Sequence, residues 1–376
     1  MRLAATPKAS ASASVHLFVF GLGYVGRWVA EDALQRGCAL PDHSNPDTPV
    51  TTSLRRAAVL PCPACAGHVS GSCRTADRAA ALRSAGIDAH TFDLDDGYAG
   101  LEPAGLAALN EATHVLATVP PIADLDRDPL LALHREQLLQ APQLSWAGYL
   151  STTSVYGDHG GGWVDESSET RGSRAGPRLR AEQEWLRLRE EDGRVASHAF
   201  RLAGIYGPAR SALDTVRRAQ LQPAAAVSQP GTGAAASDGA ATPEAAAGAE
   251  EAPPPPPPPQ PPPPPQPPRY VSRIHVADIS AVLLASMEAP AECAADATYN
   301  LADDEPAGRA EVMAFAATLL DAPAGDAPSE GGGERARRRA TESKRVANGR
   351  LRELLPDGLR YPSYREGLRA IRHAEQ

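Results

Sequence analysis

The chain has 376 residues, enough for one large or two ordinary domains. It carries 37 Lys and Arg against 46 Asp and Glu, a net charge of −9, which argues against the basic surface that nucleic acid or an anionic membrane requires. No apolar run approaches the roughly 18 residues of a membrane span, and five cysteines are too few for a disulfide scaffold at this length.

Residues 1–14, "MRLAATPKASASAS", hold two basic residues and no acidic one. That composition suits an organelle transit peptide, a chloroplast one included, and equally a frayed terminus of a cytoplasmic protein. "VHLFVFG" (15–21) reads as a strand and 24–36 as a helix with Val25, Trp28, Val29 and Ala33 on one face. An insertion of about 39–66 lacks periodicity. Cys62, Cys65, His68 and Cys73 fall close together after it, but structural zinc sites pair two separated ligand couples, and "HVSGSC" also reads as strand, so no metal site is assigned.

"HVSGSCR" (68–74) and "DAHTFDL" (88–94) are strands around a helix, and "THVLATV" (113–119) is a buried strand. Pro121 is expected to open the helix that carries "PLLALHREQLL". "AGYLST" then runs into "STTSVYG" (151–157), followed by a helix near 178–191 and the strand "SHAFRLAG" (197–204). Residues 211–269 turn to Ala, Gly, Ser and Pro, and 14 of the 36 prolines lie in 253–268. Proline cannot donate to a ladder, so that run is expected as polyproline II, spanning roughly 50 Å at about 3.1 Å per residue. The last third offers a helix (275–288), a strand (297–303), helices at 307–320 and about 343–355, and a closing helix after "RYPSYREGL". Another weak segment lies around 322–335.

Strands that alternate with helices imply parallel βαβ units. The expected fold is α/β, a Rossmann-type doubly wound parallel sheet with a small C-terminal α/β substrate-binding part. The division runs 1–14 (tail), 15–210 (dinucleotide-binding domain), 211–269 (disordered insertion) and 270–376 (completing the sheet and cleft).

Residues 21–26, "GLGYVG", form a G-x-G-x-x-G sequence that follows a strand and opens a helix, the context the motif requires. Gly21 permits the tight turn, Gly23 lets the backbone approach a pyrophosphate, and Gly26 allows close helix–strand packing. Tyr24 and Val25 bring helix-start amides to the same phosphates. The end of the second strand discriminates between coenzymes, because an NAD site carries a carboxylate there and an NADP site carries cations. Arg74, with Arg78 one turn on, favours NADP over NAD. Asp93 and Leu94, ending the third strand, are placed to meet the adenine or simply to terminate the strand.

With this start, "THVLATVPP", "YLSTTSVYG", "RLAGIYGP" (201–208), "IHVADISAVLLASM" (274–287) and "YNLADDEP" (299–306), the chain resembles the extended short-chain dehydrogenase/reductases. These are NAD(P)-dependent epimerases, dehydratases and reductases best known for nucleotide sugars. The resemblance covers about 15–207 and 270–370. It implies that Val119 and Pro120 touch the cofactor, and that Thr152, with Thr153 beside it, holds a substrate oxygen. It also demands a Tyr-x-x-x-Lys pair, and here the chain departs: aligning "RLRAE" puts Arg174 and Arg178 at those positions. A guanidinium does not deprotonate in proteins, so neither is a general acid. Arg178 is left to hold the nicotinamide ribose, and with Arg174 could clamp an anionic substrate group.

Tyr156 and His159 are the remaining proton-donor candidates. A packing role for Tyr156 and a solvated loop position for His159 are the alternatives. Tyr206 and Arg210 are candidate substrate contacts, while His275, Asp278 and Asn300 read as structural. The expectation is an NADP-binding (alternatively NAD-binding) oxidoreductase or epimerase-like enzyme acting on a small anionic carbonyl or sugar-type substrate. Its rival is a non-catalytic NADP-binding sensor or scaffold whose polyproline arm recruits a proline-recognising partner. A homodimer formed through a helix pair is a further implication of the resemblance.

Overall fold

The computed structural model describes residues 15–37, 68–94, 99–122, 127–171, 175–191, 193–221, 269–289, 298–322 and 342–376. The strands are β1 (His16–Phe20), β2 (His68–Cys73), β3 (Asp88–Asp93), β4 (Gly100–Leu101), β5 (His114–Ala117) and β6 (Trp146–Thr152), then β7 (Trp163–Val164), β8 (Ala196–Leu202), β9 (Gly204–Tyr206), β10 (Arg273–His275), β11 (Thr298–Leu301) and β12 (Arg345–Val346). The helices are α1 (Tyr24–Gly37), α2 (Ala76–Ser84), α3 (Pro103–Glu111), α4 (Pro129–Gln140), α5 (Ala175–Glu191), α6 (Ala212–Leu221), α7 (Val276–Glu288), α8 (Arg309–Leu319), α9 (Leu351–Leu354) and α10 (Tyr364–Ala374).

An eight-stranded sheet in the order β11-β8-β6-β5-β1-β2-β3-β4 organises the chain. Every neighbouring pair in it is parallel except β3 with β4. The order reverses beside β1, which places the mouth of the fold at the carboxyl ends of β1 and β5. All of β1 and β5 is buried, as a sheet covered on both faces requires. Successive side chains of β1 serve opposite layers. Leu17 and Val19 join Val29 and Ala30 of α1 and Ile279, Val282 and Leu283 of α7. Phe18 and Phe20 join Leu109, Leu130, Leu138 and Trp185 on α3, α4 and α5. A third cluster, with Leu213, Val216, Val312, Met313, Tyr364 and Leu368, forms the small C-terminal part. This is the α/β doubly wound arrangement expected from the alternation of elements.

β2 pairs with β1 from His16↔His68 to Phe20↔Ser72, so the strand after the insertion is the second strand of the sheet. Three elements differ from expectation. Pro129 rather than Pro121 opens α4, because Asp128 precedes it and its Oδ1 accepts from the Leu130 and Leu131 amides at 3.0 and 3.1 Å. The first residues of the stretch 211–269 form α6, whose Leu213 and Val216 bury one helical face. The helix expected over 343–355 is instead β12, a turn at Asn348 and Gly349, and the single turn α9. Parallel pairing of β12 with β7 and burial of Val346 outweigh the helical propensity of the segment. Among the described residues no helix is long and apolar enough to cross a membrane.

Candidate functional site

The loop between β1 and α1 is held by backbone and hydroxyl groups. Gly21 has φ +90°, open to glycine, and a Cβ there would stand 2.5 Å from Thr118 Oγ1. Thr118 Oγ1 donates to Gly21 O at 2.7 Å, and Gly21 N–H donates to Ser72 Oγ at 3.2 Å. A Cβ on Gly26 would lie 2.2 Å from Gly21 O and 3.0 Å from Val19 Cγ1, so α1 rests directly on the strand. Around Gly23 the space is open, with only Gly21 O within reach at 3.9 Å. The Arg27 amide is the first to fold back, onto Gly23 O at 3.0 Å. The amides of Tyr24, Val25 and Gly26 therefore precede the helical ladder and have no helical acceptor. An open cradle with three such donors fits a phosphate.

Around this cradle stand the other cofactor candidates. Arg74 is exposed just past β2, and Arg78 reaches back so that its Nη2 donates to Leu22 O at 3.1 Å. Asp93 and Leu94 are half-buried at the end of β3. Val119 abuts the loop, its Cγ2 lying 3.1 Å from the Cβ position of Gly21, and Pro120 is exposed beside it. The structure thus gathers Gly21, Gly23, Tyr24, Val25, Gly26, Arg78 and Val119 at one strand end. Ser72 and Thr118, which hold the loop, went unnoticed in the sequence; a hydroxyl at the tip of each neighbouring strand was the available signal.

β6 ends at Thr152, whose Oγ1 accepts from the Ser154 amide at 3.2 Å and meets Ser154 Oγ at 3.2 Å, capping the 3₁₀ turn Thr153–Tyr156. Thr152 is half-buried and Ser154 exposed, a hydroxyl pair at the strand tip, while Thr153 is buried. Tyr156 is placed otherwise than a proton donor requires. It is fully buried, its hydroxyl donates to Asn300 Oδ1 at 2.8 Å, and it accepts from Arg201 Nη1 at 2.9 Å. Arg201 also donates through Nε to Glu182 at 3.1 Å, and this ion pair is itself buried. Burial raises the Tyr156 phenol, although Arg201 pulls the other way. The residue is structural, because a group that exchanges protons with substrate must face the cleft.

Arg178, in the first turn of α5, donates through Nη1 to Leu150 O of β6 at 3.2 Å. Arg174 lies outside the described residues, so the pairing of the two guanidiniums does too. His159 Nε2 lies 3.1 Å from Tyr156 O, and the His159 amide donates to Ser343 O at 3.1 Å. Its neighbour Asp158 accepts from the Ser343 and Gly160 amides, which hold its carboxyl below the usual range. Lys344 donates to Gly157 O at 2.8 Å. The loop after Tyr156 is thus tied to the C-terminal segment, and His159 serves that tie.

Tyr206 is corrected likewise. It is buried, its hydroxyl donates to Ser363 O at 3.2 Å, and it meets the His275 ring edge-on at 5.1 Å, so it packs the C-terminal part rather than touching substrate. His275 caps α7 by accepting the Ala277 amide at 3.1 Å, and burial lowers its pKa to about 4. Asp278 accepts the Arg360 and Tyr361 amides at 2.8 and 3.2 Å, with burial raising it to about 6. Of the metal candidates, Cys62 and Cys65 lie outside the described residues. His68 and Cys73 begin and end β2, roughly 16 Å apart at about 3.3 Å per residue, too far to share an ion.

No family model matches the chain. No curated protein matches it. Solved structures do. The chain is 29% identical to a functionally unknown conserved protein from Silicibacter pomeroyi, with a TM-score of 0.62 over 96% of this chain and 99% of that one. It is 19% identical to a candidate NAD-dependent epimerase/dehydratase from Methylobacillus flagellatus, TM-score 0.57, over 96% and 99% of the two chains. A third similar structure is the UDP-glucuronic acid 4-epimerase of Bacillus cereus in complex with NAD, 14% identical, TM-score 0.55, over 96% of both. The last two likenesses are of fold: a Rossmann-like sheet shared with NAD-dependent epimerases and dehydratases.

Proposed function

We propose that the chain is an NAD(P)-binding protein of the epimerase/dehydratase type that acts as an oxidoreductase or epimerase on a small, anionic carbonyl or sugar-type substrate. The observation that carries this reading is the glycine loop, open above Gly23 yet sealed at Gly21 and Gly26 by Thr118 and Val19. A dinucleotide would be held by the amides of Tyr24, Val25 and Gly26, by Val119 and Pro120, and at its adenosine end by Asp93, Leu94, Arg74 and Arg78. A bound nicotinamide would supply or accept hydride. Thr152 and Ser154 would orient the substrate oxygen at the tip of β6, and Arg178 would stand behind them as a fixed positive charge.

Arg74 and Arg78 favour NADP, since a 2′-phosphate needs cations. The NAD bound to the Bacillus cereus epimerase makes NAD the competing arm of the test. Thermal unfolding and direct titration with NADPH and NADH check the reading: stabilisation by NADPH above that by NADH is expected, and no binding of either overturns it. Thr152→Val should abolish oxidation of NADPH by a responsive member of a carbonyl panel while leaving coenzyme affinity intact.

The burial of Tyr156 favours a second reading, a binding protein without turnover, because the strand tip then offers hydroxyls but no phenol. Stabilisation by coenzyme with no oxidation across the panel would select it. A pulldown partner lost on deleting 253–268 would add the recruitment arm.

A further inference from the structure

The segment after β9 carries a cation onto the glycine loop. Residues 207–210 form a tight turn closed by reciprocal bonds, Gly207 N–H to Arg210 O at 3.1 Å and Arg210 N–H to Gly207 O at 3.0 Å. Ala209 sits inside it at φ +58°, a left-handed conformation unfavourable to a residue with a Cβ. Tyr24, the residue after Gly23, donates its hydroxyl to Pro208 O at 3.0 Å. That approach needs Gly207, where a Cβ would lie 2.5 Å from the Tyr24 hydroxyl. Burial pushes the Tyr24 phenol up to about 12, so it stays a donor. The turn is therefore latched to the start of α1.

The latch sets the Arg210 guanidinium over the Tyr24 ring, 5.3 Å from its centroid. Arg210 is exposed, and among the described residues no carboxylate pairs with it. Asp214, one helical turn on, is committed to the Ser211 amide and hydroxyl. A guanidinium lying on an aromatic face keeps its five N–H donors in its own plane, where stacking does not use them. The ring that carries the guanidinium belongs to Tyr24, the first residue of α1 and the first of the three whose amides open the helix.

Resting on the dinucleotide reading above, we propose that Arg210 binds the pyrophosphate of the coenzyme, so that the 207–210 turn couples coenzyme occupancy to the substrate half. The charge-assisted contact suits an arginine, which meets phosphate oxygens in a planar fork.

The test titrates the full chain with NADPH, NADH and ADP-ribose, the last having the pyrophosphate and no nicotinamide. Arg210→Ala and Arg210→Gln should weaken all three by about 10-fold, a change worth about 1.4 kcal/mol, and flatten the salt dependence of binding. Arg210→Lys should recover part of the affinity. Melting temperatures of the ligand-free variants should match that of the parent; Arg210→Gln, which keeps the stem, guards against a packing effect. Unchanged NADPH affinity in both variants overturns the proposal, as does a loss confined to NADPH and NADH that spares ADP-ribose. Failure of the unaltered chain to bind any of the three would instead remove the dinucleotide reading itself.

Discussion

The two ends of the candidate site are built from different materials. The glycine loop is set by backbone, the Ser72 and Thr118 hydroxyls and the absence of three Cβ atoms. No side chain that directly holds Gly21 titrates near neutral pH. The region beyond β6 is held by ionisable groups out of water: Tyr156, Arg201 and Glu182 in one network, and Asp278, His275, Asp303 and Arg273 around the C-terminal part. Burial displaces the latter four toward their neutral forms, Asp303 up to about 8 and Arg273 downward. The contrast teaches that the glycine loop is held by shape, while the architecture beyond β6 is a matter of charge.

Four experiments press on that contrast. Arg201→Ala leaves Glu182 buried and unpaired, which should cost about 3–5 kcal/mol in urea unfolding. If the two ends are separately built, the variant that still folds should keep its coenzyme affinity, and a parallel loss would break the contrast. Gly26→Ala forces a Cβ to 2.2 Å from the Gly21 carbonyl, which cannot retreat without moving the loop. About 3 kcal/mol should be lost, together with coenzyme binding. Gly86→Ala is its control: nothing lies within 4 Å of that Cβ, but φ is +87°, so about 1 kcal/mol of backbone strain is expected with binding intact.

The third experiment is a pH profile. Asp303 is raised to about 8, so the folded chain holds a proton that the unfolded chain releases in the ordinary carboxylate range. Stability from this group is fully present below that range and is lost as pH rises through about 8. Asp303→Asn should therefore match the parent near pH 4 and exceed it by about 1 kcal/mol or more at pH 8. An advantage that does not grow with pH would show Asp303 to be ionised and paired with Arg273. Last and smallest, Tyr156→Phe removes a hydroxyl that joins Arg201 to Asn300 and should cost about 1 kcal/mol. Its effect on turnover should be nil; a collapse of turnover in the folded variant would return Tyr156 to the chemistry.

The doubly wound sheet was legible because short strand patterns, largely apolar in β1, β5 and β6 and mixed in β2, β3 and β8, alternate with helical stretches. The glycine loop was legible because its spacing and its place between strand and helix are both local. Tyr156 and Tyr206 were not. Tyr156 read as a proton-donor candidate and Tyr206 as a candidate substrate contact, and each is buried with its hydroxyl bonded to a residue more than 100 positions away, Asn300 and Ser363. The segment 343–355 failed for the same reason: a partner strand at Trp163–Val164 competes with helix and wins. Arg210 could be named as a candidate contact, but nothing in the sequence around it says that it lies on Tyr24, 186 positions earlier.

By itself, then, the order of residues determined the succession of most elements, the doubly wound fold class and the glycine-loop motif, because alternation and spacing are local patterns. Only the tertiary structure decided which hydroxyls face the cleft, which tyrosines are walled in, and where the cation over the glycine loop comes from. Those outcomes depend on which distant segment withdraws a group from water or leaves it exposed, and no local pattern encodes that.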